Sequence, residues 1–135
     1  MSLLPKIAVI DDEIYHLKLW ERSLGNACEL FKYECLNEFV EKNINDFNKF
    51  EYIIVDIFFG NINALEANFS KLLRGKGYNG KLILNSNLNQ SFTELEREHF
   101  YDLFLLKNKR YSLQMINERL LKDPLNWKKR FNHPI

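Results

Sequence analysis

Ile7-Ala8-Val9-Ile10-Asp11-Asp12 sets the decisive pattern, four apolar residues in a row halted by two acids. Tyr52-Ile53-Ile54-Val55-Asp56 repeats it with one acid at the stop. Lys81-Leu82-Ile83-Leu84 runs into Asn85-Ser86, and Leu103-Phe104-Leu105-Leu106 runs into Lys107. A less regular stretch, Leu30-Phe31-Lys32-Tyr33, fits one further strand. Strands that read as unbroken apolar runs are covered on both faces, which calls for helices on both sides of a parallel sheet.

The intervening segments supply those helices. Leu17, Trp20 and Leu24 follow an i, i+3, i+7 stripe, and Gly25-Asn26 stops it. Val40, Ile44 and Phe47 predict a short second helix. Leu65, Phe69, Leu72 and Leu73 predict a third, ended by Gly75 and Gly77. Ser91 with Glu94 makes a capping box for another, and Leu113, Ile116 and Leu120 stripe the last. Strands alternating with helices in this way form an open, doubly wound α/β domain.

Bulk properties narrow the classes. A chain of 135 residues favours one core over two very small ones. With 46% hydrophobic and 27% charged residues it is globular rather than disordered. A net charge of +1 gives no reason to expect a nucleic-acid partner. No apolar run is long enough to span a bilayer, and no secretory signal opens the chain. Cys28 and Cys35 lack metal-type spacing, and His16, His99 and His133 lie far apart, so zinc is not expected. A reducing, cytoplasmic location fits this cysteine usage. The segment after Leu121, with Pro124, Trp127 and the basic run Lys128-Lys129-Arg130, reads as a solvated extension.

The polar residues of interest all end strands. In open α/β sheets the ligand site lies outside the carboxyl ends of the strands, so Asp11, Asp12, Asp56, Ser86 and Lys107 are expected to meet there. Three carboxylates in one pocket repel one another unless a cation compensates. Mg2+ suits such a set, being hard and oxygen-seeking. A carboxylate can attack a phosphoryl donor, and a metal ion and a lysine would neutralise the developing charge. Taken singly, each residue has a plainer reading: Asp11-Asp12 as a helix cap, Ser86 as a turn residue, Lys107 as part of a solvated basic loop with Lys109 and Arg110, and Phe104 as core. The set as a whole favours chemistry.

From Lys6 to Leu121 the chain resembles the receiver domains of two-component response regulators, as a divergent, chemotaxis-regulator-like single domain. Ile7 to Glu13, Tyr52 to Asp56 and Leu105-Leu106-Lys107 carry the likeness, and the separation of Asp56 from Ser86 suits the family. The resemblance implies a flavodoxin-like strand order 2-1-3-4-5, with residues 1–121 as the receiver domain and 122–135 as a C-terminal extension. It implies Asp56 as phosphoacceptor, with Mg2+ held by Asp11, Asp12, Asp56 and the backbone carbonyl of Phe58. Ser86 would be the switch hydroxyl, Lys107 the phosphoryl partner and Phe104 the switch aromatic. The partners implied are a histidine kinase or phosphotransfer protein and a downstream protein target, with no membrane; the family's habit of dimerising leaves a homodimer open.

The sequence departs from the family in three places. Asn108 stands where proline usually follows the lysine, and Asn87 where a very small residue is preferred. Phe59-Gly60 and Asn63-Ala64 replace the usual turn after the phosphoacceptor. Phe58 and Leu88, flanking the site, cannot orient an attacking water, so slow loss of the phosphoryl group is expected. The segment after Leu121 is too short for a folded output domain, so a stand-alone receiver or a piece of something longer is expected. Two other functions compete: a degenerate receiver that binds proteins without phosphorylation, and a Mg2+-dependent phosphohydrolase or nuclease. The last lacks both an Asp-x-Asp nucleophile motif and a Gly-rich phosphate loop, so a non-enzymatic module is expected.

Overall fold

The computed structural model describes residues 4–56, 64–86, 100–107 and 109–122. Their elements run β1 (Lys6–Ile10), α1 (Ile14–Leu24), β2 (Glu29–Tyr33), α2 (Leu36–Asn43), β3 (Tyr52–Val55), α3 (Ala64–Gly75), β4 (Lys81–Ser86), β5 (Leu103–Leu106) and α4 (Leu113–Lys122). The five strands form one sheet in the order β2-β1-β3-β4-β5, with every neighbouring pair parallel. The helix expected after Ser91 lies outside the described residues.

The apolar runs are continuous because both faces of the sheet are buried. Ala8, Ile10, Ile53, Val55, Leu82 and Leu84 enter a core with Phe39 of α2 and Phe69 and Leu73 of α3. The alternate residues Ile7, Val9, Ile54, Ile83, Leu103 and Leu105 face Leu17, Trp20 and Leu24 of α1 and Ile116 of α4. Each such valine, leucine, isoleucine or phenylalanine side chain, fully withdrawn from water, contributes about 1.5–3 kcal/mol before conformational entropy is subtracted. Side-chain alternation along the strands thus divides one sheet between two cores.

Helix boundaries follow local chemistry. Ser112 Oγ accepts the Met115 N–H at 3.2 Å and caps α4. Gly77, at φ 90°, closes the end of α3: its N–H donates to the Arg74 carbonyl at 3.0 Å, and the Tyr78 N–H donates to Leu73 at 3.0 Å. This paired return to the last turn needs a left-handed residue, so Gly77 is the stop and Gly75 is still helical.

The second helix differs from its predicted stripe. Leu36, Phe39 and Asn43 form the buried face of α2, whereas Ile44 lies beyond its end and is exposed. Phe47 reaches the core from a separate short turn, Phe47–Lys49. Spacing alone merged two elements.

Away from the acidic end of the sheet, Arg74 organises a buried polar knot. It donates to the carbonyls of Phe100 (3.0 Å), Tyr78 (3.0 Å) and Gly80 (2.8 Å), and to Asp102 Oδ2 at 2.7 Å. Asp102 Oδ2 also accepts the Leu82 N–H at 2.9 Å. The knot ties the end of α3 to the starts of β4 and β5.

Candidate functional site

Strand register brings the acids together. Ile10 pairs with Val55, and the Asp56 N–H donates to the Ile10 carbonyl at 2.9 Å, so Asp11 and Asp56 leave adjacent strands side by side. Asp11, Asp12 and Asp56 each present an oxygen within 4.8 Å of the others. The strand pair β1 and β3 is where the order reverses, the usual ligand crevice of a doubly wound sheet.

The three acids are not equivalent. Asp11 is buried, Asp12 is exposed and Asp56 is partly buried. Asp11 Oδ1 accepts the Glu13 N–H at 2.9 Å, which ties the carboxylate to the start of α1. Glu13 is the N-cap residue of α1 and makes no side-chain cap bond, so Asp11 does not cap the helix; its Oδ1 contact is a turn bond just ahead of α1. The other oxygen, Oδ2, is buried and faces the Lys107 ammonium 3.2 Å away.

Lys107 arrives from the end of β5. Its backbone N–H donates to the Ser86 carbonyl at 3.0 Å, anchoring it beside β4. Its Nζ donates to Asp56 Oδ2 at 2.6 Å and lies 3.2 Å from Asp11 Oδ2 and 3.8 Å from Glu13 Oε1. A solvated loop lysine would not be only 6% exposed.

Burial and crowding set the protonation equilibria. Asp56 is pushed up to about 6, first by burial and then by the charge of Asp11, against the pull of Lys107. Burial also raises Asp11, partly offset by the Glu13 N–H and the Lys107 charge. For Lys107, burial works downward, but the hydrogen bond and charge of Asp56 and the charge of Asp11 outweigh it and hold the ammonium above its ordinary value.

No protein-family model matches the chain, and no curated protein matches it in sequence. Solved structures do match. The response regulator DrrB of Thermotoga maritima, an OmpR/PhoB homolog, aligns at TM-score 0.67 and 18% identity over 89% of this chain and 54% of its own. Its receiver domain alone, activated by BeF3, aligns at 0.69 and 16% identity over 89% and 99%. A CheY-like receiver domain protein of Methanospirillum hungatei aligns at 0.68 and 18% identity over 94% and 98%. The chain has the receiver-domain fold. It spans about half of the first DrrB chain and covers the DrrB receiver domain and the CheY-like receiver domain protein nearly end to end.

Within the receiver fold, Ser86 closes β4 and is buried, one residue past the level of Asp56 in the β3–β4 register. Phe104 sits on β5 opposite Leu84, partly buried against the core on the α2 and α3 side. Phe58, Asn87, Leu88, Asn108 and residues 123–135 of the expected extension 122–135 lie outside the described residues, Lys122 being the last residue of α4. The acidic cluster is a set of oxygen donors able to hold a metal ion. No helix among the described residues is long and apolar enough to cross a membrane.

Two residues were missed in the sequence reading. Glu13 and His16 join the acidic end of the sheet, His16 Nδ1 lying 3.5 Å from Asp11 Oδ2 and 3.6 Å from Glu13 Oε1. The signal that could have found them is the Asp-x-Glu-x-x-His spacing at a strand end, which places Glu13 and His16 one helical turn apart.

Proposed function

We propose that the chain is a phosphoacceptor receiver module, phosphorylated on Asp56 by a histidine kinase or phosphotransfer protein in the presence of Mg2+. One observation carries this reading: three carboxylates from two strand ends crowd together, with the Lys107 ammonium 2.6 Å from the one assigned as nucleophile. The donor set fits Mg2+, because it consists of three carboxylates whose oxygens lie within 4.8 Å of one another, while of the three Lys107 faces only Asp11 and Asp56. Asp11, Asp12 and Asp56 would hold the ion, with the Phe58 carbonyl as a further ligand. When bound, it supplies positive charge to the phosphoryl oxygens.

An Asp56 carboxylate oxygen attacks phosphorus while the bond from phosphorus to the donor's imidazole nitrogen breaks, and the leaving imidazole takes up a proton from solvent. Burial keeps Asp56 short of solvating water, and Lys107 holds its second oxygen. The new acyl phosphate then meets Lys107 and the Ser86 hydroxyl, and that hydrogen bond, present only after modification, biases the surface that includes Phe104. The product stays on the protein, so the module acts as a signal and not as a turnover catalyst. It is read by a downstream protein target in the cytoplasm.

The test is a titration with Mg2+ and then beryllofluoride, followed through the backbone amides of Asp56, Ser86, Phe104 and Lys107. Shifts at these positions, abolished in Asp56→Asn, are the expected result. Silence at saturating Mg2+ would instead favour a degenerate receiver that binds its partner without phosphorylation, the reading motivated by Asn87 and Asn108.

A further inference from the structure

We propose that Asp11, Glu13 and His16 form a second cation site, one that takes a transition-metal ion such as Zn2+ or Co2+ and shares Asp11 with the acidic cluster. Its donors differ in kind from those of the cluster beside it. One nitrogen and two oxygens, one from each side chain, lie within 4.8 Å of one another. Imidazole favours zinc, cobalt and nickel over magnesium.

The geometry supports a metal ion over a simple ion pair. His16 Nδ1 is buried and makes no hydrogen bond, although carboxylate oxygens of Asp11 and Glu13 stand 3.5 and 3.6 Å away. Those separations are too long for the proton of an imidazolium to bridge well. They do match the spacing of two ligands on one ion, since bonds of about 2.1 Å at tetrahedral angles put ligand atoms roughly 3.4 Å apart. The partner atom is also prepared. Asp11 is 1% exposed, and its Oδ2, the oxygen facing His16, has the Lys107 ammonium 3.2 Å away as its ion-pair partner, so a carboxylate oxygen already placed to face a cation stands beside the imidazole.

Local structure sets the three side chains on one side. The Glu13 N–H is held by Asp11 Oδ1, and the His16 N–H donates to the Glu13 carbonyl at 3.0 Å. Glu13 and His16 therefore project from the same turn, over the end of β1. At present the positive charge facing these acids comes from Lys107, 3.2 Å from Asp11 Oδ2 and 3.8 Å from Glu13 Oε1. A cation between Asp11, Glu13 and His16 replaces that contact and leaves Lys107 on Asp56. Because Asp11 serves both sites, the second ion competes with Mg2+ and acts as an antagonist of the acidic cluster.

The site stands on its own donors and holds whether or not Asp56 is a phosphoacceptor. The test uses the full chain, with Zn2+ alone followed by calorimetry and by the imidazole nitrogen resonances of its histidines. One equivalent of Zn2+ is expected to move the His16 resonances while leaving those of His99 and His133 in place. His16→Ala is expected to weaken Zn2+ binding by at least about tenfold, the scale set by losing a ligand or its support. Glu13→Gln, an exposed position, should weaken it in the same direction, and excess Mg2+ should compete. His16 resonances unmoved at saturating Zn2+, or equal affinity in folded His16→Ala, would overturn the proposal. The Mg2+ and beryllofluoride titration of His16→Ala separates the two readings. Its retention beside lost Zn2+ binding supports this site, and its absence in wild type with Zn2+ still bound at His16 removes only the phosphoacceptor assignment.

Discussion

Lys107 Nζ donates to Asp56 Oδ2 at 2.6 Å, although 51 positions separate the two residues in the chain. The contact exists because β3 and β5 flank β4 in a parallel sheet and deliver both side chains at the same end. It also leaves Asp56 short of full protonation in a buried, acid-rich place. Removing the ammonium while keeping the stem, as in Lys107→Met, should raise the Asp56 pKa above its value of about 6. A carboxyl-carbon NMR titration of the metal-free protein measures this, and an unchanged or lower midpoint would show that the pair does not form in solution.

Stability should depend on pH in a direction set by the same group. Asp56 sits at about 6 when folded, against 3.8 as the ordinary value. Below the lower value the side chain is protonated in both states and its contribution is intact. As pH rises from about 4 to about 6, the unfolded chain releases the proton while the folded chain keeps it, so stability falls. Compared with Asp56→Asn, metal-free wild type should lose up to about 3 kcal/mol across this window. Added Mg2+ should restore stability above it. Urea unfolding at a series of pH values provides the comparison, and parallel curves for the two proteins would refute it.

The Arg74–Asp102 knot should matter more to folding than any surface pair. Arg74 is 3% exposed in its side chain and Asp102 10%, and together they satisfy three carbonyls and one backbone N–H. Cutting one partner leaves a buried charge alone, which costs about 3–5 kcal/mol. Asp102→Ala and Arg74→Met are each expected to lose stability on that scale in urea unfolding. Arg74→Lys should recover only part of it, since an ammonium cannot span the same four acceptors.

Most of the fold was legible because its strands are buried on both faces. Ile53-Ile54-Val55 and Leu82-Ile83-Leu84 leave little alternative to a central parallel strand. The meeting of Asp11, Asp56 and Lys107 was legible for a related reason, since in a parallel sheet the ends of apolar runs gather on one edge. The break between α2 and the Phe47 turn was hidden, because a residue beyond a helix end can still match the helical period. Arg74 and Asp102 gave no local sign either: each looks like an ordinary helix-end or turn residue, and only tertiary packing joins them across 28 positions. His16 was passed over because the histidines were weighed against one another and not against the acids beside them.

The central claim is that Asp56 is a nucleophile served by the acids and the lysine around it. Incubating the chain with acetyl phosphate and Mg2+ and measuring its intact mass tests this most directly. The account predicts a gain of one phosphoryl group that needs Mg2+, maps to the peptide holding Asp56 and disappears in Asp56→Asn. A wild-type mass that never changes, or a modification that persists in Asp56→Asn, would contradict it.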